Sequence, residues 1–223
     1  MIYRHPYFDV PVVTGEGKIN TIVVEDAKAF SGILRDISSS VEGNEEQSAL
    51  FQGDKMLSFS TAAELLSSFF PFDLNQKTLL NKIASSLEKE ALAPENYQET
   101  EKLLAATENY LLSLSETFDC NLAFRKISPA SIIKSSGMEI VDDGTSLPEK
   151  LLDYFALVRE FEREKVFFTV NLRSFLSDRE AEAFFQSIVL HDFSVIMFEN
   201  KEYPKNKWEN RLILDSDLCI IEV

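Results

Sequence analysis

Two short apolar runs flanking one amphipathic stretch constrain this chain more than any other feature. Val166-Phe167-Phe168-Thr169-Val170 and Val195-Ile196-Met197-Phe198-Glu199 are rich in β-branched and aromatic residues. That is the composition of strands buried on both faces. Between them Ser177-Asp178-Arg179-Glu180 has the form of a capping box, opening a helix to about His191. Strand, helix and strand of these lengths form a crossover, so the two strands are expected to be parallel.

The rest of the chain fits an α/β head interrupted by helices. Ile19-Asn20-Thr21-Ile22-Val23-Val24 reads as a strand feeding a helix whose apolar residues are Ala27, Phe30, Ile33, Leu34 and Ile37. Ser38 to Gly53 reads as a loop and Lys55 to Ser60 as a short strand. Thr61-Ala62-Ala63-Glu64 has capping-box form, with Pro71 stopping the helix it would open. Helices are expected over Asn75 to Leu92 and from Pro94 to Phe118. The second carries an apolar stripe of Leu103, Thr107, Tyr110, Leu111, Leu114 and Phe118. A shorter helix runs from Ser128 to Ser136, with Pro129 in its first turn and Gly137 past its end. Leu151 to Glu164 is amphipathic, and Leu218 to Val223 reads as a last strand. The organisation expected is a head of residues 1–60 and 149–223, including the crossover at 166–199, with a helical insertion at 61–148.

Several chemistries are excluded by what is missing. The strand-to-helix junction Glu25-Asp26-Ala27-Lys28-Ala29-Phe30 supplies no glycine turn, and its two carboxylates repel phosphate. Asn171 follows the run Phe167 to Val170 where a magnesium-binding acid would stand. No nucleotide and no hydrolysis are expected. There is no GxSxG elbow, and neither His5 nor His191 sits in an interpretable nucleophile pattern, so no enzyme is expected. His191 suits a helix C-terminus. Cys120 and Cys219 form no CxxC pair and read as reduced, packed thiols. Glu25-Asp26, Glu45-Glu46 and Asp142-Asp143 read as solvated acids, the last followed by Gly144 in a turn. No apolar run approaches the ~20 residues of a membrane span, and the N-terminus lacks a secretory pattern. A cytoplasmic location without membrane contact is expected.

The chain is acidic, with a formal net charge of −15. Against that background Leu122 to Met138 holds Arg125, Lys126 and Lys134 with no acid, and Lys77 and Lys82 lie on a helix without acids between Gln76 and Leu87. Two readings stay open: these cations pair with nearby glutamates, or they form a strip that reads duplex phosphates without regard to sequence. Lys201, Lys205, Lys207 and Arg211 are interleaved with Glu202, Glu209 and Asp215, so a packed or subunit-contact role suits Trp208 better than base stacking.

Several segments together resemble the type II-A CRISPR-associated adaptation proteins, a ring-forming family that binds double-stranded DNA ends. They are Ile22-Val23-Val24-Glu25-Asp26, Leu50-Phe51, Phe72-Asp73-Leu74-Asn75 through Leu87-Glu88, and Phe168-Thr169-Val170-Asn171. Phe175-Leu176-Ser177-Asp178 with Glu180, and Val195 to Glu199, complete the series. The resemblance implies an NTPase-like, mostly parallel sheet head without working nucleotide motifs and an inserted, elongated α-helical domain. It also implies a homotetrameric ring around duplex DNA, without enzymatic activity. That ring would serve spacer acquisition in antiviral defence, beside integrase proteins and the RNA-guided nuclease. The alternatives are a protein–protein scaffold in the same complex without DNA grip, or a degenerate nucleotide-binding ATPase-like protein. The family places a calcium-binding acidic cluster after its longest helix. Here Glu116, Asp119 and Asn121 offer oxygens, Ala123 offers none, and Arg125-Lys126 repels a cation. Calcium at that site and ordering of the loop by the basic pair are both open.

Overall fold

In the computed structural model the chain divides into two units, Met1–Phe72 with Gly144–Val223, and Asp73–Asp143. The residues described are 1–15, 17–44, 47–141, 146–162 and 164–222; Glu45-Glu46 and Asp142-Asp143-Gly144 lie outside them. The first unit begins with β1 (Ile2–Arg4), β2 (Val12–Val13), β3 (Ile19–Val24), α1 (Ala27–Val41), β4 (Ala49–Gln52), β5 (Lys55–Leu57), α2 (Phe59–Ala62) and β6 (Ala63–Leu66). The second contains α3 (Lys77–Ala91), α4 (Tyr97–Ser115) and α5 (Pro129–Ser135). The first resumes with α6 (Leu147–Phe161), β7 (Val166–Val170), a 3-10 turn (Leu172–Phe175), α7 (Asp178–Leu190), β8 (Ser194–Glu199), β9 (Glu209–Leu214) and β10 (Ile220–Glu222).

A six-stranded sheet in the order β10-β9-β3-β8-β7-β6 organises the first unit. All its neighbours are parallel except β10 against β9. The crossover is as the sequence predicts: Val166 pairs with Ser194 and Val170 with Phe198 in parallel register. Ser177 Oγ accepts from the Glu180 N–H at 3.3 Å, and the Glu180 carboxylate accepts from the Ser177 N–H at 2.8 Å. Ser146 and Glu149 repeat the device at the start of α6.

A smaller antiparallel sheet, β2-β1-β4-β5, closes one side of the core. There Tyr3, Ile33, Ile37 and Leu50 pack with Phe59, Phe168 and Phe198. Tyr3 meets Phe168 edge-on with ring centroids 5.0 Å apart, and Phe59 stacks on Phe168 at 5.6 Å. Phe155 of α6 stacks on Phe167 at 4.1 Å. Each ring removed from water contributes about 1.5–3 kcal/mol.

Three sequence expectations are corrected. Thr61-Ala62-Ala63-Glu64 opens no helix: α2 ends at Ala62, and Ala63 to Leu66 pair in parallel with Val166 to Thr169. The Thr61 hydroxyl donates back to the Ser58 carbonyl at 3.1 Å, and the Glu64 carboxylate accepts from the Tyr154 hydroxyl. Residues 38–53 are not all loop, because α1 continues to Val41 and β4 forms at Ala49–Gln52. Cys120 and Cys219 are free but exposed, not packed.

Candidate nucleic-acid interface

The helical unit is held by few but specific contacts. Helix α3 packs against α5, and Leu79 is its buried residue. Asn75, just before α3, accepts from the Ile140 N–H at 2.7 Å and donates to the Ile140 carbonyl at 3.2 Å, pinning the segment after α5. Ser128 caps α5 by accepting from the Ser131 N–H at 3.2 Å, and Pro129 occupies the first turn. Gly137 ends this element at φ +67°, a conformation glycine adopts without steric cost. The stretch between α4 and α5 is tied to α4 through the Ile127 N–H, which donates to Glu108 at 3.4 Å.

These elements carry the sequence-predicted cations. Lys77 sits at the first position of α3 and Lys134 near the end of α5; Arg125 and Lys126 precede α5. All four are exposed. Among the described residues no carboxylate forms an ion pair with any of them. Lys82 differs, being half-buried and engaged with a partner. The packing of α3 on α5 brings the helices of Lys77, Lys82 and Lys134 together, and Arg125 and Lys126 lie on the chain leading into α5.

The oxygens considered for calcium stand at the end of α4 and just after it. Glu116, at the C-terminus of α4, and Asp119 and Asn121 are all exposed. Among the described residues no group of three or more His, Cys, Asp or Glu side chains is placed to hold a metal. Calcium takes about six to eight oxygens, more than these three side chains supply by themselves.

Helix α4 exposes apolar surface. Leu104 is its buried residue, whereas Leu103, Tyr110 and Leu114 of the predicted stripe are 55%, 62% and 44% exposed. Phe118, just beyond, is 61% exposed. Spacing alone identifies an apolar stripe; it does not say which molecule covers it.

In the first unit, the junction after β3 is filled by protein. The Asp26 carboxylate accepts from the Ala29 N–H at 2.7 Å, occupying the helix N-terminus where an anion would bind. Glu25 accepts from the Ser216 hydroxyl at 3.4 Å. Asn171 adopts φ +53°, and its side-chain oxygen accepts from the Asn200 N–H at 2.9 Å, joining the ends of β7 and β8. His191 caps α7, with Nδ1 2.9 Å from the Ser187 carbonyl. His5 is buried beside Asp36 at 3.3 Å, and burial holds its pKa below the ordinary value. Sequence reasoning missed a buried charged group under α7 made of Arg173, Glu199, Glu209 and Arg211. An acid ending the apolar run at Glu199 was its only signal.

Fold and surface define a mixed α/β protein whose mostly parallel sheet is accompanied by a helical unit bearing exposed cations. The family model described as CRISPR-associated protein (Cas_Csn2) matches residues 40–218, and the chain belongs to that family, which acts in type II-A CRISPR adaptation. A comparison with curated proteins gives no match. No helix among the described residues is long and apolar enough to cross a membrane.

Proposed function

We propose that this chain is the subunit of a non-catalytic homotetrameric ring. The ring binds double-stranded DNA ends without sequence preference during CRISPR spacer acquisition, beside the integrase proteins and RNA-guided nuclease of the same system. The observation that carries this reading is the set of exposed cations Lys77, Arg125, Lys126 and Lys134. They stand without carboxylate partners among the described residues of a chain whose net charge is −15. On so acidic a protein, glutamates would neutralise surface cations if nothing else required them. Lysine and arginine contacts to phosphate carry no base information, so the binding is sequence-blind.

The exposed apolar row Leu103, Tyr110, Leu114 and Phe118 supports assembly with further copies, because exposed apolar patches of this kind mark contact surfaces. Asp26 and Glu25 leave no anion nest after β3, which supports a head without nucleotide turnover. No calcium step enters the scheme, since Glu116, Asp119 and Asn121 supply fewer oxygens than the ion takes.

Linear and covalently closed duplexes of equal length test the reading. A ring threaded from an end binds linear fragments and leaves closed circles largely free, and its native mass is that of four chains. Equal affinity for both forms contradicts threading. A scaffold without DNA grip draws support from the net charge of −15; it predicts no binding of linear duplex even at low salt. Magnesium-dependent ATP turnover above background would contradict the non-catalytic reading.

A further inference from the structure

The sequence interleaves Glu202 and Glu209 with Lys201, Lys205 and Lys207, but the structure turns both acids to one buried arginine. Strands β8 and β9 flank β3 and run parallel to it, so segment 200–208 returns from the end of one to the start of the other. Arg211 of β9 is 6% exposed. Its Nη2 pairs with Glu209, which is 2% exposed, and its Nη1 lies 3.6 Å from Glu202. A guanidinium taken out of water needs such partners. The acids in the first turns of α7 are engaged as well. Asp178 accepts from Arg173, the Glu180 carboxylate accepts from the Ser177 N–H, and Glu182 pairs with Lys207 at 3.1 Å.

What the segment turns outward is basic. Lys201, Lys205 and Lys207 are exposed, and neither Lys201 nor Lys205 forms an ion pair among the described residues. Lys201 Nζ is 5.0 Å from the centre of the Tyr203 ring, and Lys207 Nζ is 5.5 Å from the Trp208 ring. Both rings are half-buried. The Tyr203 hydroxyl is 2.9 Å from that of Ser174, which fixes the ring against the turn after β7. Rings held in this way support the ammonium groups above them.

We propose that Lys201 and Lys205, with Lys207, form a contact of the first unit with the phosphate backbone of duplex DNA. This contact rests on the duplex-binding reading and adds to it a set of cations separate from those of the helical unit. Extended residues advance about 3.3 Å each, so Lys201 to Lys207 span at most about 20 Å. A duplex presents about a dozen phosphates over that length, at one charge per ~1.7 Å of axis. A protein partner is the poorer fit. Interfaces between proteins centre on apolar and aromatic anchors and are depleted in lysine, whereas residues 200–208 expose no large hydrophobic side chain. Lysine reads charge and not base identity, so the contact is sequence-blind.

The test measures linear-duplex affinity against salt for the full-length wild type, for Lys201→Gln/Lys205→Gln and for the control Lys28→Gln/Arg35→Gln. The control removes as many charges from exposed positions on α1, whose buried residues pack on the sheet face opposite Arg211. Lys201→Gln/Lys205→Gln should flatten the slope of log affinity against log salt by up to about 1.8, ~0.9 for each phosphate contact, and the control should leave it unchanged. Equal flattening in both variants overturns the contact, since the effect then belongs to net charge alone. A fall in native mass with unchanged affinity gives the segment to a second copy of the chain and overturns it too. A wild type that does not bind duplex at low salt rejects the duplex-binding reading itself. A wild type that binds, with an unchanged slope in Lys201→Gln/Lys205→Gln, rejects this contact alone.

Discussion

Phe168 and Tyr110 show how differently the two units use aromatic residues. Phe168, at the centre of β7, is fully buried among Tyr3, Phe59 and Phe198. Tyr110, on the outer face of α4, is 62% exposed. The same contrast holds throughout: the first unit buries both faces of its sheet, whereas Leu74, Leu79 and Leu104 are the buried apolar residues among the described part of the second. Charge follows the same division. Arg173 and Arg211 of the first unit are buried against Asp178 and Glu209, while Lys77, Arg125, Lys126 and Lys134 of the second stand free of ion pairs among the described residues. One unit buries its large side chains, and the other leaves them exposed.

Substitutions can break that comparison. The largest effect is expected from Phe168→Ala, which should lower unfolding stability by about 3–5 kcal/mol in denaturant titration through reduced burial and a cavity. Leu103→Asp combined with Tyr110→Asp should instead divide the proposed assembly, seen as a fall in native mass, while each chain stays folded. A matching loss of secondary structure in the double variant would mean that the α4 row supports the fold of its own chain. Ser177→Ala should cost about 1 kcal/mol by removing the cap of α7. No change in native mass should accompany it, because this hydroxyl serves its own helix.

Legibility in the sequence divides along similar lines. The crossover 166–199 was readable because its strands are continuous apolar runs and its helix begins with a capping box, all local signals. Strand β6 was not. Thr61 and Glu64 have the capping-box spacing, yet the Thr61 hydroxyl turns back to Ser58 and Glu64 meets Tyr154, a partner 90 residues away. Pairing with β7 overrides the local preference, since a strand beside a buried neighbour gains hydrogen bonds and burial together. Strands β1, β2 and β9 escaped for a related reason: they are short or open on polar residues such as Glu209, Asn210 and Arg211, whose burial depends on ion pairing and tertiary packing. In the candidate interface, the cations were visible by composition alone. That Lys77, Arg125, Lys126 and Lys134 stand without ion pairs among the described residues was not, because that depends on how α3 and α5 pack.

The claim that the helical unit grips phosphate is tested most directly by a salt titration of linear-duplex binding. It compares wild type with the Arg125→Glu/Lys126→Glu variant. If both residues face phosphates, the slope of log affinity against log salt should flatten by ~0.9 for each phosphate no longer neutralised. Native mass and stability should hold, as exposed charges typically alter folding by less than ~0.5 kcal/mol. An unchanged slope and affinity, or a tetramer that dissociates before binding weakens, contradicts the assignment.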